Sequence, residues 1–520
     1  MNKSLLLFCF LMLFLVSRME AQYPNIVVGT ANAPNEPSIC INPKNPQQMV
    51  AGSNTSNYYY SSDAGLTWTA GVLTSSYGVW GDPVVITDTA GNFCFFHLSV
   101  PSWPEWLDRI VCQKSSDGGQ TWNDGSFMGL NGSKDQDKEW AVTNPANNHI
   151  YTCWTQFDLY NSSVPTDSSN IMFSRSTNGG ASWSTAVRIN RKAGDCLDMD
   201  NTVEGAVPAV GPNGEIYVSW AGPLGLVFTK STDGGTTWPG DNLVICDIPG
   251  GWDFGLPGIY RANGLPITCC DLSNGPYRGT VYINWSDQRN GEGDTDTWIV
   301  KSTDGGVTWT SPKRVNDDPP GRQQFFTWMT IDQSNGYIYT VFYDRRNHSD
   351  NLTDVYMAVS RDGGETFTNF KVSESPFNPD ASIFFGDYTN VAAHNDIVRP
   401  IWTRLHNGSL SVVTALVDSI FTGITPEKVL EAPISLEQNY PNPVEDITYF
   451  SYKIHEPTVV SLKVYDIYGH AVATIISDLT VSSGKHIEHF SRRDFGLSAG
   501  FYFITLTSKE WAVRRKMVVE

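Results

Sequence analysis

The chain has 520 residues, with 35 Lys and Arg against 54 Asp and Glu, a formal net charge of −19. So acidic a chain lacks the cationic surface on which sequence-independent nucleic-acid binding depends, and that class of partner is excluded. Its 45 Gly, 17 Trp, 22 Tyr and 25 Phe, with few helix-forming runs, point to an all-β fold.

In chain order, residues 1–21 read as a secretory signal: Lys3, an apolar run from Leu5 to Val16, and cleavage near Ala21. The run is too short for a membrane anchor, and no other stretch of sequence is apolar enough to span a bilayer. Eight cysteines follow it. They form no CxxC pair, which argues against zinc, and most fall in strand-like runs suited to buried thiols. Cys196–Cys246 is the one disulfide pairing to check.

From Glu36 the chain repeats itself. Each unit opens with an apolar run, turns, enters a second strand that often ends in an aromatic residue, then a third, and reaches a Ser-x-Asp-x-Gly-x-Thr-Trp phrase. The phrase stands at Ser61–Trp68, Ser115–Trp122, Ser231–Trp238 and Ser302–Trp309, with Asn178 replacing Asp in Ser176–Trp183 and Phe ending Ser360–Phe367. Asp63, Asp117, Asn178, Asp233, Asp304 and Asp362 are 54, 61, 55, 71 and 58 residues apart, the signature of an array of similar units. Asp can accept backbone N–H bonds in such a turn, Gly supplies positive φ, and Trp is expected to pack the turn onto its own unit's core.

These phrases resemble the Asp-boxes of the sialidase-like propellers. The resemblance implies a β-propeller over residues 22–417, with the boxes on the face opposite the active site. A seventh unit, from Gly386 to Leu416, lacks a box, and Ile26–Val28 is available as its fourth strand, closing the ring. The expectation is therefore seven blades, with six as the alternative. Residues 418–433 read as a linker. Residues 434–520, with Asn439-Tyr-Pro-Asn-Pro443 and the strand Gly500-Phe-Tyr-Phe-Ile504, resemble the C-terminal sorting domain of the type IX secretion system of Bacteroidetes. That resemblance implies a small β-sandwich, a partner in the secretion machinery, and a secreted or cell-surface destination.

Candidate chemistry gathers at the starts of the inner strands. Glu36, Asp82, Glu139, Glu204 and Asp387 each begin, or nearly begin, an inner strand and are expected at one register around the channel mouth. Carboxyls held close keep one another protonated, as glycoside cleavage requires; the same residues could also cap strand ends. Arg289 in Trp285-Ser-Asp-Gln-Arg-Asn290 aligns with Arg346 in Phe342-Tyr-Asp-Arg-Arg-Asn347, and Arg404 follows Trp402. The three could clamp an anionic substrate, or could pair with Asp287 and Asp344 to hold loops. Tyr388 and Tyr343 are the candidate nucleophiles that a sialidase-like site would need. The N-terminal arginine motif of true sialidases is absent: Asn35-Glu-Pro-Ser-Ile39 contains no arginine.

The expected function is action on, or binding of, an extracellular anionic glycan, in the first instance as a glycoside hydrolase. The alternatives are a non-catalytic adhesion, scaffold or lectin-like module, and a polysaccharide lyase using His394 or His406. No cofactor is required; Asp195, Asp198 and Asp200, or Glu292, Asp294 and Asp296, are acidic loops that could hold Ca²⁺ or simply be solvated. Trp80, Trp103, Trp106, Trp252 and Trp328 are candidate stacking platforms for sugar rings.

Overall fold

A computed structural model of the chain describes residues 23–102, 105–418, 434–467, 469–508 and 511–520. The proposed signal segment, Trp103 and most of the proposed linker lie outside the described residues. The chain divides into two compact units, Met1–Ile420 and Phe421–Glu520. No helix among the described residues is long and apolar enough to cross a membrane.

Almost every described strand of the first unit belongs to one of seven antiparallel sheets. Their innermost strands are Ser38–Ile41, Gly81–Thr87, Asp135–Thr143, Glu204–Val210, Ile267–Cys270, Gln324–Asp332 and Asn390–His394, and each adjoins the next until the seventh meets the first. This closed circuit is a β-propeller. The first six sheets have four strands each, all taken in chain order. In the seventh, Asn25–Gly29 pairs with Ser409–Ala415, so the N-terminal strand supplies the outer strand and closes the ring. A two-stranded hairpin, Asp253–Phe254 with Ala262–Asn263, lies in the long connection between the fourth and fifth sheets.

Burial falls outward across each sheet. Second strands such as Phe93–Leu98 and Ile150–Phe157 are buried throughout, because neighbouring sheets cover both faces, whereas outer strands such as Thr69–Val72 are largely exposed. Second strands also carry Trp154, Trp220, Trp285 and Trp402, among the largest fully buried side chains of the molecule.

Each Ser-to-Trp phrase forms the turn between the third and fourth strands. Ser61 Oγ accepts from Gly65 N (2.9 Å) and donates to Asp63 Oδ1 (2.7 Å), while Asp63 accepts from the backbone and hydroxyl of Thr67 (2.9 and 2.6 Å). The same bonds recur at Ser115, Ser231, Ser302 and Ser360. The Trp side chains reach across to the preceding sheet as well as onto their own. Trp122 meets Tyr58 of the preceding sheet and Phe95 of its own, while Trp183 meets Phe96, Trp238 meets Phe173 and Trp309 meets Phe228, each on the preceding sheet.

A cation just before the phrase strengthens this link. Lys114, Arg175, Lys230 and Lys301 donate to the carbonyls of Gly179, Gly234, Gly305 and Gly363 in the next sheet's turn, and Arg399 reaches Ala64. The turns are staples between sheets. None of the eight cysteines is bonded to another; Cys196 and Cys246 are both free.

The second unit packs a three-stranded sheet (Ile434–Leu436, Ile447–Ile454, Gly484–Ser491) with a four-stranded one (Thr458–Tyr465, Ala471–Val481, Gly500–Ser508, Ala512–Val519) around a core that includes Phe450, Leu462, Ile504 and Met517. Asn439, in the Asn-Tyr-Pro-Asn-Pro stretch, is buried and donates to Pro441 O (3.0 Å) and Thr448 Oγ1 (2.9 Å).

Candidate active site at the propeller mouth

Antiparallel pairing puts the starts of the inner strands at the end opposite the Ser-to-Trp turns. There the inner strands bulge. The pairing register slips between Gly81 and Val84, Asp137 and Trp140, Glu204 and Val207, and Phe325 and Trp328. Within these bulges Asp82, Lys138, Gly205 and Phe326 adopt left-handed φ of 51°, 54°, 73° and 49°, and so do Glu36 (53°) and Gly386 (96°) ahead of the regularly paired first and seventh inner strands. A non-glycine residue held there costs of order 1–3 kcal/mol, and such strain concentrates at functional sites. Bulges also re-aim side chains, here toward the centre.

The five carboxyls do converge, but not at one register. Glu36 and Asp82 hold the left-handed position together with Lys138; Glu204 and Asp137 stand one residue before it, and Glu139 and Asp387 one after. Lys138 is the hub. Its buried Nζ lies 3.0 Å from Asp387 Oδ2, 3.7 Å from Asp82 Oδ2 and 4.0 Å from Glu36 Oε1, and 5.5 Å from the centre of the Tyr388 ring. Arg261, on the hairpin between the fourth and fifth sheets, grips both oxygens of Asp387, with Nε to Oδ1 at 2.8 Å, and reaches Asp198 Oδ2 with Nη1 at 3.0 Å. Tyr160 Oη also donates to Asp198 (2.7 Å). Trp140, Trp328 and Tyr388 pack together as an aromatic floor.

The electrostatics divide the carboxyls into two kinds. Burial alone would raise the pKa of Asp387, but Lys138 and Arg261 outweigh it and hold the group well below the usual range. Glu204 is pushed well up, first by burial and then by the neighbouring carboxyl of Asp198. Glu36, Asp137 and Glu139 are raised in the same sense, chiefly by burial and by Asp82. Beyond Glu139's own backbone amide, neither of its oxygens has a protein partner, nor do Glu204 Oε2 and Tyr388 Oη. Buried polar atoms left this way call for water or a ligand.

Two cavities of about 20 Å³ each open here. One is floored by Trp140, Trp328 and Tyr388; the other is lined by Lys138, Asp198, Glu204, Asp253, Arg261 and Asp387. Each has room for a water molecule and not for a sugar ring.

The other expected residues lie elsewhere. Arg289 is held by Asp287 (Nε–Oδ1 2.9 Å) and stacks on Trp298. Arg346 is held by Asp344 (2.8 Å) and Asn369 (3.1 Å) and stacks on Tyr356. Arg404 reaches Ser375 Oγ (2.7 Å). The expected three-arginine clamp is not formed, and the Asp–Arg loop pairs are what the structure contains. Tyr343 is buried and gives its hydroxyl to Thr403 O (2.7 Å), away from the mouth. His394 ends its inner strand, at the far end from the mouth, and His406 is exposed beside Asn407.

Asp195, Asp200, Asp294 and Asp296 each take separate protein partners, and no group of three or more His, Cys, Asp or Glu among the described residues is placed to hold a metal. Trp252 and Trp328 are buried. Trp80, 37% exposed, and Trp106 do form an edge-to-face run that continues to Tyr160 and so to Asp198.

Fold and mouth together define a β-propeller with a buried, carboxylate-rich centre, joined to a small β-sandwich. Residues 438–520 match the family described as the secretion system C-terminal sorting domain, which gives the protein a secreted or cell-surface location. No curated protein matches the chain in sequence. Among solved structures, a protein of unknown function from Dyadobacter fermentans is 13% identical, with a TM-score of 0.45, covering 77% of this chain and 98% of that one. An ulvan lyase of polysaccharide lyase family PL25 is also 13% identical (TM-score 0.45; 77% and 96% covered), and Trypanosoma rangeli sialidase is 12% identical (TM-score 0.39; 86% and 85% covered).

Proposed function

We propose that this exported propeller cleaves a glycosidic bond in an extracellular glycan, with Glu204 as proton donor and Asp387 as the ionised carboxylate. One observation carries the reading. Glu204 and Asp387 line the same cavity, and their surroundings push their pKa values in opposite directions. Such a divided pair is the arrangement from which acid and base roles follow. Lys138 keeps Asp387 charged from within. Arg261, the mouth guanidinium that reaches solvent, would meet an anionic substituent, the task first assigned to Arg289, Arg346 and Arg404. The Trp80–Trp106–Tyr160 run offers a surface along which sugar rings can lie. Admission of a sugar requires the Asp253–Asn263 hairpin to swing Arg261 off the mouth.

The 20 Å³ cavities favour the second reading, a binding or scaffold module in which the cluster is structural. Hydrolysis of fluorogenic glycosides and acidic polysaccharides by the full chain separates the two. Turnover falling by about 10²–10⁴ in Glu204→Gln, with folding intact, supports an acid at that position. Saturable binding without turnover makes the protein lectin-like. Absence of both leaves the scaffold.

A further inference from the structure

A third cavity, of about 390 Å³, lies away from the mouth, at the outer strand of the sixth sheet. Its walls include Asp317 from the connection entering that sheet, Arg346 and Asn347 from the loop between its second and third strands, Tyr356 and Phe370, and Tyr23 from the N-terminal segment. The volume falls in the range of small-ligand sites, which the mouth cavities do not approach. The Phe342-Tyr-Asp-Arg-Arg-Asn347 stretch supplies two of the lining residues, a role the mouth left unassigned.

The chemistry of the walls is that of a sugar site. Tyr23 and Phe370 pack at 5.4 Å and Tyr356 lies beneath Arg346, so rings stand on two sides. Between them are planar polar groups. Asn347 Nδ2 donates to Tyr356 Oη (2.8 Å), and Asn369 Oδ1 accepts from Arg346 (3.1 Å). The side chain of Asp317 is 56% exposed. A pyranose, with an apolar C–H face and a rim of hydroxyls that donate and accept, matches rings flanked by amides and carboxylate.

Charge decides between neutral and acidic sugars. Arg346 is matched by Asp344, Asp317 and Asp318, and Lys371 faces Asp354 at 3.9 Å, so neither cation is left without a carboxylate. An acidic sugar would have to compete with those carboxylates; a neutral one need not. We propose that this cavity binds a neutral sugar residue of a polysaccharide chain, independently of the mouth.

The test is titration calorimetry of the full chain with cellohexaose, xylohexaose and mannohexaose, and with a hexagalacturonate as the charged comparator. Saturable binding of a neutral hexasaccharide is expected. Asn347→Trp, which fills the cavity from an exposed position, and Phe370→Ala should each weaken it by about tenfold or more. Glu204→Gln should leave it unchanged, so failure of the mouth reading and failure of this one are distinguishable. The proposal is overturned if no neutral hexasaccharide binds at millimolar concentration, if binding survives Asn347→Trp, or if only the charged oligomer binds.

Discussion

The two ends of the propeller use carboxylates in opposite ways. At the Ser-to-Trp turns each Asp is satisfied within four residues of chain. Burial works against ionisation there, but the Thr hydroxyl, backbone N–H groups and Ser together win, holding Asp117 and Asp362 down at about 2. At the mouth the carboxyls come from five different sheets, are buried, and share two cations, so Glu36, Asp137, Glu139 and Glu204 are raised and only Asp387 is driven down. Local satisfaction makes a part that can be copied from sheet to sheet. Convergence without satisfaction makes a site. The strain in the bulges, absent from a simple capped strand end, belongs with the second kind.

The sharpest way to break this contrast is Lys138→Met. It leaves Asp387 with Arg261 alone and strips the internal cation from Asp82 and Glu36; removing one partner of a buried ion cluster costs about 3–5 kcal/mol. Chemical denaturation should show a loss of that size. A loss below about 1 kcal/mol would mean that water reaches the cluster and that the mouth is no different from a surface.

The pH dependence of stability reads both ends at once. The mouth glutamates have folded pKa values raised above the ordinary 4.5, so the folded state keeps protons that the unfolded chain releases. Their contribution is full below that value and is lost as pH rises through it toward the folded values. The turn aspartates behave in reverse: their contribution is full above 3.8 and lost as pH falls toward about 2. Stability should therefore peak near mildly acidic pH. Each buried mouth glutamate changes the slope by about 1.4 kcal/mol per pH unit within its window, and each turn aspartate, open to solvent, by less. Glu139→Gln should flatten the limb above the peak and leave the acidic limb alone. Flattening of both limbs, or of neither, would show that the two groups of carboxylates are not separate.

The same contrast explains what could be read in the sequence. The propeller was legible because its turns close within eight residues, and the bonds from Ser and to the Asp or Asn side chain repeat with them. The closing strand at Ile26–Val28 followed from a unit left one strand short. At the mouth Asp82, Glu139, Glu204, Asp387 and Tyr388 were found because inner-strand starts also recur. Asp137 and Lys138 were not, since the bulge places neighbouring residues at the centre where a regular strand would alternate them. Arg261 and Asp198 come from long connections that repeat nowhere. Arg289 and Arg346 align because they are the same loop brace twice: of the two readings their recurrence left open, an anion clamp or Asp–Arg loop pairs, the structure holds the second. The cations that precede the turns, Lys114, Arg175, Lys230 and Lys301, were visible at fixed spacing from each Ser; their role needed the next sheet.

Those cations allow a smaller test at the stapled end. Lys230→Met removes the link from the fourth sheet to Gly305 O in the fifth (2.7 Å) while leaving both turns whole, and should cost about 1 kcal/mol in thermal or chemical denaturation. The smallest effect is expected where one turn already differs. Asn178 keeps the bonds from Ser176 Oγ (2.8 Å) and Ser182 N (2.9 Å), but at Ser182 Oγ its amide donates (2.8 Å) where the aspartates accept from Thr. A serine hydroxyl can rotate to donate instead. Asn178→Asp should therefore reverse one bond and leave the rest, changing stability by less than about 0.5 kcal/mol. A larger change would mean that the third turn, unlike its fellows, is held by something beyond its own eight residues, and the distinction between copied and converging parts would fail at that point.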